Sequence, residues 1–324
     1  MKKNEYGLFT AIAMIVGIVI GSGIFFKSDN ILVATGGSVA LGVLVFCIAA
    51  IAIIFGSLTI SQLASRSSKE GGLIAYAEEY YNKSTSCAFG WFQTFLYFPT
   101  LIAVVSWVAG IYICILFGIE GTLEKQMLIG LAIMVFLFVI NTLSAKLGGL
   151  FQNASTIIKL IPLLLIAVAG LVFGDTSSVS FSDITAMKST GWIAAIAPIA
   201  FSFDGWVVST SISHEIKDSK RNLPKALIIA PIFILIVYVL YFVGISMYIG
   251  PETIMSLGDA HVDLAANNLL GPWGAKIVLI FVIISIMGTI NGLTLGMIRL
   301  PHSLSVRNMF PKSKVINKID EKLL

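Results

Sequence analysis

Apolar residues run along this chain in long, nearly uninterrupted blocks, and polar residues are confined to short gaps between them. Neither the two-residue alternation of a half-buried strand nor the single apolar stripe of a soluble helix is present. Eight blocks approach or exceed the twenty or so residues that a helix needs to cross a bilayer. They lie at about 7–27, 38–62, 86–116, 126–145, 152–173, 191–213, 225–249 and 275–303. The longest gaps fall at 63–85, 174–190 and 250–274. The pattern predicts an all-α membrane protein whose single transmembrane domain extends over 1–324.

Two stretches violate the pattern from inside. In the first block, Gly17-Ile18-Val19-Ile20-Gly21-Ser22-Gly23-Ile24-Phe25 is too apolar for a surface loop and too rich in glycine for a sound helix. Each interior glycine costs a helix about 1 kcal/mol relative to alanine. A break there would free backbone N–H and C=O groups, which lipid cannot satisfy. Such a break can hold a zwitterion, with amides for a carboxylate and carbonyls for an ammonium. The alternative is close packing of an intact helix, since Gly17-xxx-Gly21 is also a small-xxx-small pattern.

The second stretch is Pro198-Ile199-Ala200-Phe201-Ser202-Phe203-Asp204-Gly205-Trp206 in block six. Proline removes a backbone donor, and Asp-Gly is a turn signal inside an apolar span. An aspartate at that depth costs on the order of 3 kcal/mol unless it is paired or hydrated. The alternative is a kinked helix with a packed aspartate. The second interruption lies five spans after the first, so the two lie in oppositely directed spans. That spacing points to an inverted-repeat transporter with a midplane binding site.

The chain has 57% hydrophobic and only 12% charged residues, with mean hydropathy +0.95, about half the charge of a soluble protein. Lysine and arginine fall unevenly across the gaps. With the N-terminus in the cytoplasm, that side holds Lys2, Lys3, Arg66, Lys69, Lys83, Lys146, Lys217, Lys220, Arg221, Lys225, Arg299, Arg307, Lys312, Lys314, Lys318 and Lys322. The opposite side holds Lys27, Lys125, Lys188 and Lys276. The asymmetry predicts a cytoplasmic N-terminus and an even number of spans. The net charge of +4 is spread over these gaps, so it is no nucleic-acid footprint. Met1-Lys2-Lys3 before an apolar run resembles a signal peptide, but the run is long and more spans follow, so it is read as a retained first helix. Cys47, Cys87 and Cys114 have neither metal-site nor disulfide-framework spacing and read as small packing residues.

Apart from residues near block ends, Lys159 is the one lysine or arginine inside a span. It lies about 10 Å from the end of its block, at 1.5 Å per residue, so it could snorkel to the interface or face the bundle interior. Tyr97 and Pro99 could line a cavity or pack, and Asn291 reads as an interhelical hydrogen bonder. Between blocks two and three, Gly71 to Tyr81 reads either as an amphipathic interfacial helix or as a plain loop. Leu257 to Leu270 reads as a short helix capping a vestibule. His214-Glu215 reads as a solvated helix end. There is no P-loop, HExxH or GxSxG motif, so no enzyme, cofactor or metal site is expected.

These residues occur in a familiar order. Gly17 to Phe25, Gly71-Gly72-x-x-x-Tyr76, Lys159-Leu160-Ile161-Pro162, Phe201 to Trp206, and Glu215 followed by Arg221-Asn222-Leu223-Pro224 together resemble the amino acid–polyamine–organocation superfamily, in its L-type amino-acid transporter branch. The resemblance covers essentially the whole chain. It implies a five-plus-five inverted-repeat fold, with a first repeat at 1–173 and a partial second repeat at 191–324, because members usually have twelve spans. It also implies secondary transport of amino acids across a bacterial plasma membrane. By the same resemblance Gly21, Ser22 and Gly23 would take the substrate carboxylate. The carbonyls of Val19, Phe201 and Asp204 would take the ammonium, and the Phe201 ring would gate the site. Lys159 would stand where sodium-dependent relatives hold the ion, implying sodium-independent exchange or proton coupling. The rival expectation is a membrane amino-acid sensor or assembly partner that keeps the fold without transporting, or an inactive fragment of a permease.

Overall fold

The computed structural model describes residues 6–67, 69, 71–179 and 191–316. Lys2, Lys3, Lys188, Lys318 and Lys322 of the charge pattern lie outside the described residues. Helices dominate, and several begin where a short polar side chain supplies an N-cap. Ser38 accepts the Leu41 N–H at 3.2 Å and opens α3 (Val39–Arg66). Asn82 accepts the Thr85 N–H at 2.8 Å and opens α5 (Lys83–Phe92). Thr122 and Ser144 do the same for α7 (Leu123–Leu143) and α8 (Ala145–Phe173). α3 starts within one residue of its hydropathy boundary, whereas the caps of α5, α7 and α8 start those helices three to seven residues before theirs.

Span one is interrupted. α1 (Leu8–Val19) ends where the glycines begin, and the chain turns irregularly until α2 (Ser28–Ala34). The apolar block at 7–27 therefore stops short of a second half-helix. The polar first turn of α2, Ser28-Asp29-Asn30, conceals it from a hydropathy reading. Between α3 and α5, residues 72–80 form α4 (Gly72–Tyr80), with Ile74, Ala75 and Tyr76 buried, so the plain-loop alternative does not hold. α5 passes through a π-helical turn, Gln93–Tyr97, into α6 (Phe98–Phe117). Pro99 sits in the first turn of α6 and has no N–H to continue a regular ladder across the junction.

Span six is interrupted as well. A 3₁₀ turn at Gly191–Ala195 leads into α9 (Ile196–Phe201), a four-residue turn and a second 3₁₀ segment, Trp206–Glu215. Gly205, at φ +98°, supplies the left-handed residue that this turn requires. Then follow α10 (Ser219–Ile249), α11 (Pro251–Leu257), α12 (His261–Leu270), α13 (Gly274–Ile298), α14 (Leu300–Val306) and α15 (Ser313–Ile316). Among the described residues, seven helical stretches are long and apolar enough to cross a membrane, and α1 is a shorter apolar helix beside them.

α1 threads between α8, α10 and α13. The most apolar window of the α13–α14 stretch is 67% buried and that of α7 only 17%, so α13 is central and α7 peripheral. Close approach is set by small residues: a Cβ on Gly170 of α8 would lie 1.8 Å from the Gly244 carbonyl oxygen of α10. At the end that carries the N-terminus, Tyr6 donates its N–H to Glu215 O at 3.0 Å and accepts from Lys217 N–H at 2.8 Å. Glu215 is no solvated helix end. Its carboxylate meets Arg299 Nε at 2.5 Å with side-chain exposures of 18% and 8%. The charges offset one another at a place where neither is well hydrated.

Candidate functional site

The two breaks face each other. An ideal Cβ on Gly23 would lie 3.9 Å from Ser202 Oγ, and one on Gly205 would strike the Ile18 side chain at 2.6 Å. Gly17 packs tightly too, since a Cβ there would come within 2.2 Å of Thr156 Oγ1. Both readings of the glycine stretch therefore apply to different residues. Gly17 allows close packing while still helical, and the chain leaves the helix after Val19.

Ending α1 in mid-bundle frees its last carbonyls, and side chains from three neighbouring helices meet them. From α8, Lys159 Nζ donates to Gly17 O and Ile20 O at 2.6 Å each, and to Ser285 O at 3.1 Å. The lysine is fully buried, so its ammonium is held inside the bundle and does not reach for the interface. From α13, Thr289 Oγ1 donates to Ile18 O at 3.1 Å, and Ser285 Oγ to Ile20 O at 3.4 Å. From α10, the Tyr238 hydroxyl lies 3.3 Å from Val19 O and 2.9 Å from Ser202 O, joining the two breaks through one oxygen. Tyr241 Oη reaches Phe25 O at 3.0 Å. None of these hydroxyl groups stood out in the sequence. A Ser, Thr or Tyr in an apolar span gives no sign of whether it bonds its own helix or a neighbour.

The amide side of the break is different. Among the described residues, no hydrogen bond reaches the N–H groups of Gly21, Ser22 or Gly23. All three residues are partly exposed. Within the turn only the Phe25 N–H is used, donating to Ser22 O at 3.1 Å. The first break thus presents bare donors beside the carbonyls of residues 17–20, which are already met.

At the second break, Asp204 N–H donates to Phe201 O at 3.0 Å, whereas the Asp204 carbonyl accepts no bond among the described residues. The Asp204 carboxylate takes the Tyr97 hydroxyl at 2.8 Å. Tyr97 is the last residue of the π-helical turn, a local widening that turns a side chain away from the regular helical face. The pair offsets part of the cost of the carboxylate within the span. Phe201 is 58% exposed at the end of α9, while Phe203 is buried against Tyr238 with ring centroids 5.1 Å apart. Asn291 of α13 joins a buried polar chain, accepting from Asn141 at 2.9 Å and donating to Gln152 at 2.8 Å and to Gly148 O at 3.0 Å.

Comparison with known proteins places this arrangement. The family model described as "Amino acid permease" matches residues 6–323. The chain is 30% identical to the serine/threonine exchanger SteT of Bacillus subtilis (strain 168), over 98% of this chain and 72% of that one. It is 28% identical to the human b(0,+)-type amino acid transporter 1, over 97% of this chain and 68% of that one. More than a quarter of each relative lies outside the match. A crystal structure of MhsT in complex with L-phenylalanine superposes with a TM-score of 0.67 at 14% identity, covering 98% of this chain and 78% of that one. It supports the fold: helical and membrane-spanning among the described residues, with the five-plus-five inverted-repeat architecture. With a family match over nearly its whole length, the chain belongs to the amino acid permease family, whose members are multi-pass membrane transporters and not enzymes.

Proposed function

We propose that this chain binds an amino acid between the broken spans one and six and carries it across the plasma membrane by alternating access, without sodium. One observation carries the reading. The carbonyls freed at the first break are met by protein donors, while the adjoining amides of Gly21, Ser22 and Gly23 are bare. Consecutive bare amides at the end of a broken helix attract an anion, and in an amino acid that is the α-carboxylate. The Ser22 hydroxyl adds a further donor. The ammonium then lies toward the Asp204 carbonyl, with the carbonyls of Val19 and Phe201 offering their second lone pairs. The Phe201 ring closes over the pair.

Lys159 supports the sodium-independent part. Its fixed ammonium occupies the place between spans one, five and eight where carbonyls from two helices converge, and it meets three of them. A metal cation there would have to displace it. The names of the relatives, a serine/threonine exchanger among them, favour small neutral amino acids. The charge asymmetry supports a cytoplasmic N-terminus.

The test is counterflow of labelled serine and threonine in proteoliposomes, with and without sodium, beside binding of serine and its carboxamide. Exchange that is indifferent to sodium, and loss of binding by the carboxamide, are expected. Equal binding of acid and carboxamide would remove the carboxylate from the bare amides. A strict sodium requirement would remove the role given to Lys159.

A further inference from the structure

At the end of the bundle opposite the N-terminus, α11 and α12 form a cover, Pro251–Leu270, that rests on α2 of the broken first span. Its corner is the turn at Gly258, φ +55°, and beside that turn stands the Asp29 carboxylate of α2. His261 opens α12 and is fully buried. Its Nδ1 lies 2.6 Å from Gly258 O, and because a carbonyl only accepts, Nδ1 carries the proton. Its Nε2 is buried with no hydrogen-bond partner. In the neutral ring, that orphan is an uncharged acceptor. A second proton would turn it into a charged donor with nothing to donate to, which is a far costlier group to bury.

We infer that His261 is a proton-operated latch: protonation on this face of the membrane releases the cover from α2. The inference rests on the transporter reading for its purpose, because a cover over one end of a central site controls access from that side.

The surrounding charges define the sign. Asp29 of α2, Asp259 of the turn and Asp263 of α12 face the ring, Lys27 faces Asp259, and Tyr112 of α6 faces Asp259 and Asp263. The three carboxylates favour a charged ring, yet burial outweighs them and holds His261 below its ordinary value of 6.5. The docked cover therefore resists the proton more than a released one does. Docking is favoured above the ordinary histidine value and weakens as pH falls below it. Burial raises Asp259 and Asp263, and their own protonation acts the other way, strengthening docking at lower pH. Release is therefore greatest between the histidine and carboxyl ranges.

The test uses the full chain in lipid nanodiscs, spin-labelled at the exposed residues Asn30 of α2 and Ser256 of α11, with the distance distribution measured from pH 8 to pH 5. A longer separation should gain population by about fivefold on acidification, the lower end of ordinary coupling. His261→Gln, which keeps a donor for Gly258 O without a titrating ring, should hold the short separation throughout. If that variant does not fold, ring-proton titration of the wild-type histidines serves instead, and one of the three should titrate below 6.5 together with the change in distance. A pH-independent distance, an unchanged response in His261→Gln, or the absence of any histidine whose titration below 6.5 coincides with cover movement would each overturn the latch. The distance needs no substrate, so a chain that failed to exchange amino acids would still answer this question.

Discussion

Lys159→Met removes the ammonium and keeps nearly the whole stem, which isolates the three bonds at the first break. Gly17 O, Ile20 O and Ser285 O all lose their shortest partner. Ile20 O keeps Ser285 Oγ at 3.4 Å, whereas Gly17 O and Ser285 O are left with the Thr289 hydroxyl at 3.4 Å each, whose single proton is shared with the nearer Ile18 O. A fully orphaned buried carbonyl costs about 1–3 kcal/mol, and a hydrogen bond from a charged donor contributes about 1.5–3 kcal/mol. Against that stands the several kcal/mol that desolvating an ammonium costs, which methionine escapes. With these opposing terms and the residual bonds, we expect the break to lose about 3 kcal/mol of preference for its present shape. If the bare amides must hold that shape to bind a carboxylate, the same energy appears as roughly a hundredfold weaker Kd. The assay is equilibrium binding of labelled amino acid to purified protein in detergent, beside thermal unfolding of the same sample. A Kd within twofold of wild type would refute the argument, because Lys159 would then neither shape nor support the site. A lower Tm with unchanged Kd would assign the lysine to packing alone.

Three further outcomes follow from the same geometry. Ser22→Trp places an indole beside the bare amides and should abolish binding while membrane insertion, followed by expression and size-exclusion profile, stays normal. Tyr97→Phe leaves the Asp204 carboxylate without its hydroxyl donor; a loss of about 1–3 kcal/mol, or five- to a hundredfold in Kd, is expected by calorimetry if the pair orients the second break. Arg299→Met removes the Arg299–Glu215 ion pair at a poorly hydrated position and should destabilise the chain by about 3 kcal/mol, read as a fall in Tm that the double variant with Glu215→Gln partly restores.

The breaks, the spans and the place of Lys159 within a span were legible from local composition, whereas the choice between snorkelling and burial for that lysine was not. Three glycines within seven residues weaken a helix wherever it lies, and an Asp-Gly pair turns the chain in any apolar block. The limits of the spans were less legible. A hydropathy reading places 7–27 in one block because Ser28-Asp29-Asn30 reads as the end of a span, whereas those residues begin α2. Glu215 reads as solvated because its neighbours are charged, and only the fold brings Arg299, eighty-four positions away, against it. Tyr97 leaves packing and lining undecided, since the π-helical turn that aims it depends on how α5 joins α6.

The sequence by itself determined that this chain crosses a membrane repeatedly, that spans one and six are weak near their middles, and that one cation lies at depth. Those are properties of a residue and its near neighbours in lipid. Only the tertiary structure decided which freed backbone groups find partners. Tyr238, Ser285, Thr289 and Lys159 come from three separate helices and converge on the first break, and no local pattern encodes that convergence. The difference between met carbonyls and bare amides, from which the binding site follows, arises only when distant spans pack together.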